Sequence, residues 1–527
     1  MNWRNPIAPK RPAPSIETRN SLRTQRLATL RSRGEADRAQ SASPRRLFKR
    51  VPVAAWVCAI VATMNAACWS LITPIFQGID EPDHFAYVQQ LAETGHLPAA
   101  GAANALPSDE TAALIGLHQQ LTRFKPQARA ISSLAEQRTL DSDLALHLAP
   151  AWPVNAGTAG REPPLYYVLA TIPYELASGG NILARVQTVR LLSALLAGLA
   201  ALLSVMFVRE ILPGTPWAWT VGGLGVALMP MLGFISSVVN PESMLIAITC
   251  AVFYLLARAF RHGLTSRRAA AIGLAVAAGF LTKLNFIGLA PGALIAIPVL
   301  TLRAARATGR IRYAPAAVAY SIACAPVGLY ILTSVLSAQK VLATASVASQ
   351  LARGSMLREL DYIWQFYLPK LPGMHSEFPG ILTTRNLWFD GLVGRFGWDD
   401  TFFPAWIYTI ALIPAGILTA LCLRALVSGR EKLELHSSEL AVYATMAFGL
   451  ALLVGATSYI SEQTPGGGPY WQPRYFLPLI PLLAVALALA ARGAGRRWGP
   501  IVGVLIVTLI LAQDVFGQLQ TIARYYG

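Results

Sequence analysis

Asp80, Glu81, Asp83 and His84 stand within five residues of one another in the stretch QGIDEPDHFAYVQQLAETGHLP. A carboxylate in such a group can take a proton from an attacking hydroxyl, so Asp80 and Glu81 are the candidate catalytic residues. Asp83 and His84, with Glu81 beside them, could instead hold Mg²⁺, Mn²⁺ or Ca²⁺, since hard cations favour oxygen ligands. Pro82 suits the first turn of a helix, and Gly95 and Pro98 suit its end. At helical spacing Asp80, Asp83, His84 and Tyr87 share one face, while Phe85, Val88, Leu91 and Ala92 form an apolar stripe. The acids would equally cap that helix and favour its dipole. A lone histidine is more often a hydrogen-bonded side chain than a ligand.

Further polar residues stand at the ends of apolar runs. Arg161 and Glu162 precede PPLYY, Asn240 and Glu242 lie in SSVVNPES, Lys283 lies in LTKLN, and Arg474 and Tyr475 lie in PRYFLP. Lys283, Arg161 and Arg474 could neutralise a phosphate. Glu162, Asn240, Glu242 and Tyr475 extend this candidate substrate site. Lys283 could also end a helix and snorkel to water. Between Asp361 and Trp406 aromatic residues interleave with charged ones, as in FGWDD, where Asp399 joins the substrate candidates. Aromatic faces beside carboxylates can stack on sugars and bond their hydroxyls. An aromatic belt at a membrane boundary explains Trp406 and Tyr408 but not two adjacent acids.

These residues need a membrane to position them. Of 527 residues, 54% are hydrophobic and only 13% charged, and apolar runs long enough to cross a bilayer recur along the chain. The fold class is therefore an all-α polytopic membrane protein. The net charge of +17 would suggest nucleic acid in a soluble chain. Here the bases lie mostly in short loops between apolar runs, the positive-inside pattern, and no nucleic-acid partner is expected. The predominance of Arg over Lys hints at a bacterial source. All five cysteines fall inside apolar runs, without a disulfide framework or CxxC spacing.

Residues 1–50 read as a disordered, basic, cytoplasmic tail resting near anionic lipid. A first span covers about 52–76. Later spans are expected near 187–208, 217–238, 241–260, 268–283, 285–302, 314–336, 404–427, 439–460, 474–491 and 499–515. The basic loops between them all face the cytoplasm only if 163–178 enters and leaves on the same side. That stretch is thus a juxtamembrane or re-entrant helix, and about eleven spans remain. A membrane domain at 51–515 then carries two external regions, 77–186 and 337–403, and a short external C-terminus at 516–527. Arg185 and Arg190 fall on the outer side, against the charge rule.

In order, DEPDHFAYVQQLAETGHLP, REPPLYYVL, NPES, LTKLN, YLPKLPGM, FGWDD and PRYFLP resemble the bacterial membrane family known as domain of unknown function 2142. That family resembles the GT-C glycosyltransferases. The resemblance implies a GT-C-like fold and transfer of a sugar from a polyprenyl-phosphate carrier to an envelope glycan, lipid or protein. It implies a base at the leading acid of the first external loop, here Asp80, followed by Glu81. Where aminoarabinose transferases carry a phosphate-binding Lys before their proline-rich segment, this chain has Glu162, preceded by Arg161. Lys283 or Arg474 would take the phosphate instead. The other readings are a transporter or flippase, expected to show repeats or charged midplane helices, and a non-enzymatic envelope scaffold, in which the outer polar residues would not converge.

Overall fold

The computed structural model describes residues 51–98, 106–129, 132–146, 148–157, 159–336, 356–374, 376–378, 385–463 and 472–527. The tail expected at 1–50 and parts of the region 337–403 lie outside the described residues. Ala54–Gly527 forms one compact unit. Among the described residues, nine helices are long and apolar enough to cross a membrane. They are Val53–Ile72, Ile182–Ile211, Glu242–His262, Phe286–Thr308, Ala314–Leu336, Ala405–Ser428, Ser437–Gln463, Pro473–Gly493 and Gly499–Tyr526. Two other expected spans take shorter forms. The one near 268–283 is Ser266–Thr282, of 17 residues. The one near 217–238 is broken into Pro216–Ala227 and Pro230–Ile235. Pro230 offers no N–H to continue the first helix, and it holds Met229 in the extended region, at φ −67° and ψ 118°.

The stretch at 163–178 forms the helix Leu165–Leu176, of 12 residues. Twelve residues reach about 18 Å, well short of the ~30 Å hydrocarbon core, so this helix cannot cross. Tyr166, Tyr167, Ala170 and Tyr174 on it are buried and join Phe85, Tyr87 and Val88 of the Glu81–Thr94 helix in one apolar cluster. The Tyr87 and Tyr167 rings stack at 3.7 Å between centroids. The last helix runs past the expected boundary at 515 to Tyr526, so residues 516–526 continue the helix instead of forming a separate tail. Arg524 near its end donates to the carbonyls of Thr122, Lys125, Pro126 and Ala128. Arg129 donates back to the Gly527 carbonyl at 2.7 Å. The end of the chain therefore clasps the polar loop that follows the Glu81–Thr94 helix.

One buried ion pair joins this polar cap to the helices beneath. Glu81, at the start of the Glu81–Thr94 helix, and Arg190, in the third turn of Ile182–Ile211, both have side chains with no exposed surface. Arg190 donates to Glu81 through Nε at 2.7 Å and Nη2 at 2.6 Å. The backbone N–H groups of Phe76 and Val239 reach the same carboxylate at 2.8 and 2.9 Å. Arg190 gives its remaining donors to the carbonyls of Ser70, Thr73 and Pro74, which cap the end of the Val53–Ile72 helix. Gly78 lies in the same turn, and a Cβ there would collide with Val238. The loop after the first helix and the 236–240 segment can thus approach closely. Arg185, the other base expected to oppose the charge rule, donates to the Tyr174 hydroxyl at 2.6 Å and pairs with Glu93 at 3.6 Å.

Removing either member of a buried pair leaves an uncompensated charge, at a cost of ~3–5 kcal/mol. Arg190→Ala is therefore expected to lower the melting temperature of the purified protein sharply. Arg190→Lys is expected to rescue little, because an ammonium cannot make the bidentate contact. Wild-type melting of either variant would contradict this assignment.

Candidate functional site

Asp80 directly precedes the Glu81–Thr94 helix, in the left-handed region at φ 60° and ψ 9°. Its side chain makes no capping bond. The carboxylate turns instead to Arg474, whose Nη2 donates to Oδ2 at 2.9 Å. Arg474 is only 3% exposed, whereas Asp80 keeps 31% of its side chain open. Burial disfavours charge on Asp80, but Arg474 above all, with Lys283, overcomes it and holds the carboxyl below its ordinary range.

The same guanidinium continues inward. Arg474 Nε lies 3.6 Å from Glu242 Oε2, and Glu242 Oε1 accepts from Lys283 Nζ at 3.1 Å. Glu242 opens the Glu242–His262 helix, where its N–H is held by Asn240 Oδ1 at 2.9 Å. Lys283 closes the Ser266–Thr282 helix. On its far side the Leu284 N–H donates to Glu162 Oε2 at 3.1 Å. Burial raises the Glu162 carboxyl, against the pull of Lys283 and the Leu284 N–H. The result is an alternating row of Asp80, Arg474, Glu242 and Lys283 built from four separate stretches of chain. Three buried donors in it, Arg474 Nη1 and Nε and Asn240 Nδ2, have no hydrogen-bond partner among the described residues. Buried donors of this kind are costly unless something accepts from them.

Several expected site residues fall elsewhere or act otherwise. Glu81 was a catalytic candidate. Its two oxygens already accept four bonds, from Arg190, Phe76 and Val239, which leaves no lone pair for a substrate proton. It is a structural anchor. Asp83 and His84 were the metal candidates. His84 is buried, and its Nδ1 shares a hydrogen bond of 2.8 Å with the Tyr167 hydroxyl. Burial, reinforced by Lys283, pushes the imidazole down to about 3, so it is neutral at physiological pH. Among the described residues no group of three or more His, Cys, Asp and Glu side chains is placed to hold a metal. Asp80 and Glu242 are already paired with cations. The donor set does not fit a divalent ion.

Arg161 ends a short 3₁₀ turn and is exposed. Tyr475 is mostly buried in the main apolar cluster, with the Arg474 guanidinium 5.3 Å above its ring centroid. Asp399 also takes the left-handed conformation, at φ 55°. Burial raises its carboxyl, while Arg395 and Arg474 oppose the rise, so Asp399 lies within the field of the central cation. Its neighbour Asp400 is structural: it accepts from the Phe124 and Trp398 N–H groups and lies 3.7 Å from Arg524.

One residue at the site escaped sequence reasoning. The Arg123 guanidinium lies 3.7 Å over the Trp398 ring and attracts the charges of both Asp80 and Asp83. Nothing in LTRFKP marks it, since its ring partner comes from FGWDD, far along the chain. Arg190 did carry a signal, being a base on the side expected to be poor in bases.

Long apolar helices with charged groups joined at one end define a multi-pass helical membrane protein. The chain belongs to the family described as Predicted membrane protein (DUF2142), whose model matches residues 64–483. No curated protein matches it. Among solved structures it is similar to ArnT from Cupriavidus metallidurans bound to undecaprenyl phosphate, at 16% identity and a TM-score of 0.40, covering 82% of this chain and 59% of that one. It is also similar to the Archaeoglobus fulgidus oligosaccharyltransferase in its apo form, at 12% identity and a TM-score of 0.43, covering 89% and 56%. A third is the arabinosyltransferase EmbB from Mycobacterium smegmatis, at 14% identity and a TM-score of 0.35, covering 92% and 42%. The chain thus spans 42% to 59% of the lengths of these proteins.

Asp83 offers a pH test of the site. Burial first, then the negative charge of Asp80, lifts its carboxyl from 3.8 to about 6. Between those values the folded protein holds a proton that the unfolded chain has released. The stabilisation from Asp83 is therefore full at low pH and lost as pH rises through about 6. Asp83→Asn is expected to remove this dependence. The melting temperature of wild type relative to the variant then falls between pH 4 and 6, in line with that shift, and is flat above. A difference independent of pH would show that Asp83 is not so perturbed.

Proposed function

We propose that this protein is an inverting membrane glycosyltransferase that moves a sugar from a polyprenyl-phosphate carrier to an envelope glycan, lipid or protein. The observation that carries the reading is Arg474. One arm of its guanidinium holds a partly exposed carboxylate below its ordinary range, and Nη1, like Asn240 Nδ2, is buried without a hydrogen-bond partner among the described residues. A base and a phosphate cradle thus share one residue.

The chemistry follows from that arrangement. The acceptor hydroxyl oxygen forms a bond to the anomeric carbon as the bond from that carbon to the phosphate oxygen breaks. The electron pair leaves with the polyprenyl phosphate. Arg474 Nη1, Lys283 and Asn240 Nδ2 meet the charge that develops on it. The acceptor proton goes to Asp80. A carboxylate held below its ordinary range is a weak base, so it takes the proton late, when the new bond has made the hydroxyl more acidic. Arg123 on the Trp398 ring, with Asp399 beyond, forms a wall suited to sugar hydroxyls. The reading sets the site on the extracytoplasmic face of a bacterial cell membrane, with the N-terminus in the cytoplasm, as the basic loops require. A scaffold would leave the polar residues scattered, and the ion-pair row from Asp80 to Lys283 argues against that.

Asp80→Asn keeps shape and volume but cannot take the proton. It is expected to cut sugar transfer by ~10²-fold or more, while lowering the melting temperature modestly through loss of the partly exposed pair with Arg474. Lys283→Ala and Arg474→Ala are expected to weaken binding of the carrier phosphate. Transfer by Asp80→Asn at the wild-type rate would rule out this base. Uptake of substrate into sealed vesicles with no glycosyl product would favour a transporter.

A further inference from the structure

A polar hollow lies at the start of the Ala405–Ser428 helix and holds no member of the Asp80 row. It encloses about 500 Å³ and is lined by Arg385, Asn386, Asp390, Arg395, Tyr408 and Thr409, with Phe402 and Phe403 at its wall. Arg385 is partly neutralised: its Nε lies 3.4 Å from Asp390 Oδ1, and its Nη2 donates to Thr409 Oγ1 at 3.1 Å. Arg395 has no carboxylate within ion-pair distance among the described residues, and its guanidinium lies 5.3 Å from the Phe402 ring centroid. The Tyr408 hydroxyl is already engaged, accepting from the Phe403 N–H and donating to the Gly394 carbonyl. Within the lining itself two guanidiniums stand against one carboxylate, with Asp399 outside it acting on Arg395.

Its surroundings say what shape of anion fits. Thr409 lies in the first turns of a helix whose apolar window has none of its residues buried. Trp406, Ile410, Ile413 and Ile417 on that helix are 61%, 54%, 63% and 55% exposed. The hollow therefore opens at the level where a membrane-crossing helix begins, with Trp406 in the place of an interfacial anchor. Uncovered aliphatic side chains continue from its mouth into the bilayer.

We propose that this hollow binds the phosphodiester headgroup of an anionic membrane lipid, whose acyl chains lie along the exposed face of Ala405–Ser428. The guanidinium charge of the lining suits one phosphodiester. Arg395 supplies N–H donors that no carboxylate among the described residues pairs, and the aliphatic face supplies the rest of the contact. The assignment is independent of the glycosyl-transfer reading, since it uses no residue of the Asp80 row.

The test uses the full-length protein in neutral detergent, with lipid adducts counted by native mass spectrometry as phosphatidylglycerol or phosphatidylethanolamine is added. The expected result is preferential retention of phosphatidylglycerol. The double variant Arg385→Gln/Arg395→Gln is expected to weaken it about tenfold, the loss of one or two charge-assisted bonds. Thr409→Trp, which fills the mouth without changing charge, is expected to reduce it similarly. This second variant keeps the test decisive if the double variant folds poorly. Equal retention of the two lipids, or unchanged phosphatidylglycerol binding in Thr409→Trp, would overturn the proposal. Displacement of phosphatidylglycerol by millimolar inorganic phosphate would overturn the lipid assignment and leave a site for free phosphate.

Discussion

The Arg190 guanidinium uses all five of its N–H bonds inside the protein, and the rest of the polar cap depends on where they go. Two bind Glu81, and three bind the carbonyls that end the first membrane helix. A guanidinium this deep in an apolar bundle would be prohibitive without such complete pairing. The pairing fixes the distance between the end of Val53–Ile72, the start of Glu81–Thr94, the Ile182–Ile211 helix and the 236–240 segment. Asp80 and Asn240 lie one residue away from groups held by this pair, Glu81 and the Val239 N–H. Their positions in the site are thus set by Arg190.

On this foundation the site is built as an alternation of charge. Each cation has an acid on at least one side, and each acid has a cation. The row can then lie at the edge of a low-dielectric bundle with its charges paired. The open end is Asp80, the most exposed carboxylate of the row, and the unused donors belong to Arg474 and Asn240. In the proposed reaction a pre-organised row of this type would need little rearrangement as phosphate charge develops beside it.

Much of the fold is legible in the amino-acid order because each crossing helix needs its own apolar run, and because bases avoid one side of the membrane. Those two constraints delivered the approximate helix boundaries, and the short length of Leu165–Leu176 agrees with the expectation that it does not span. They could not show the break before Pro230, since a run of apolar residues reads the same straight or broken. The positions of Lys283, Glu242, Asn240 and Arg474 were legible because charge and amides at the ends of apolar runs stand out. The division of labour between Asp80 and Glu81 was not. Adjacent acids look alike until the helix start sends one towards Arg190 and the other towards Arg474. His84 stood as a possible ligand from its place beside Asp83 and as a hydrogen-bonded side chain, and its Nδ1 is bonded to Tyr167; Arg123 was missed because its partner lies in a distant loop.

Because the proposed activity is transfer of a sugar from a phosphate-linked carrier, the most direct measurement reads the whole envelope. The gene is deleted in its native host, and the glycans of the envelope are analysed beside the pool of polyprenyl-linked sugars. The account predicts one sugar missing from an envelope polymer, lipid or protein and its carrier-linked form accumulating. Both are restored by the wild-type gene. An envelope and a carrier pool unchanged by the deletion would contradict it.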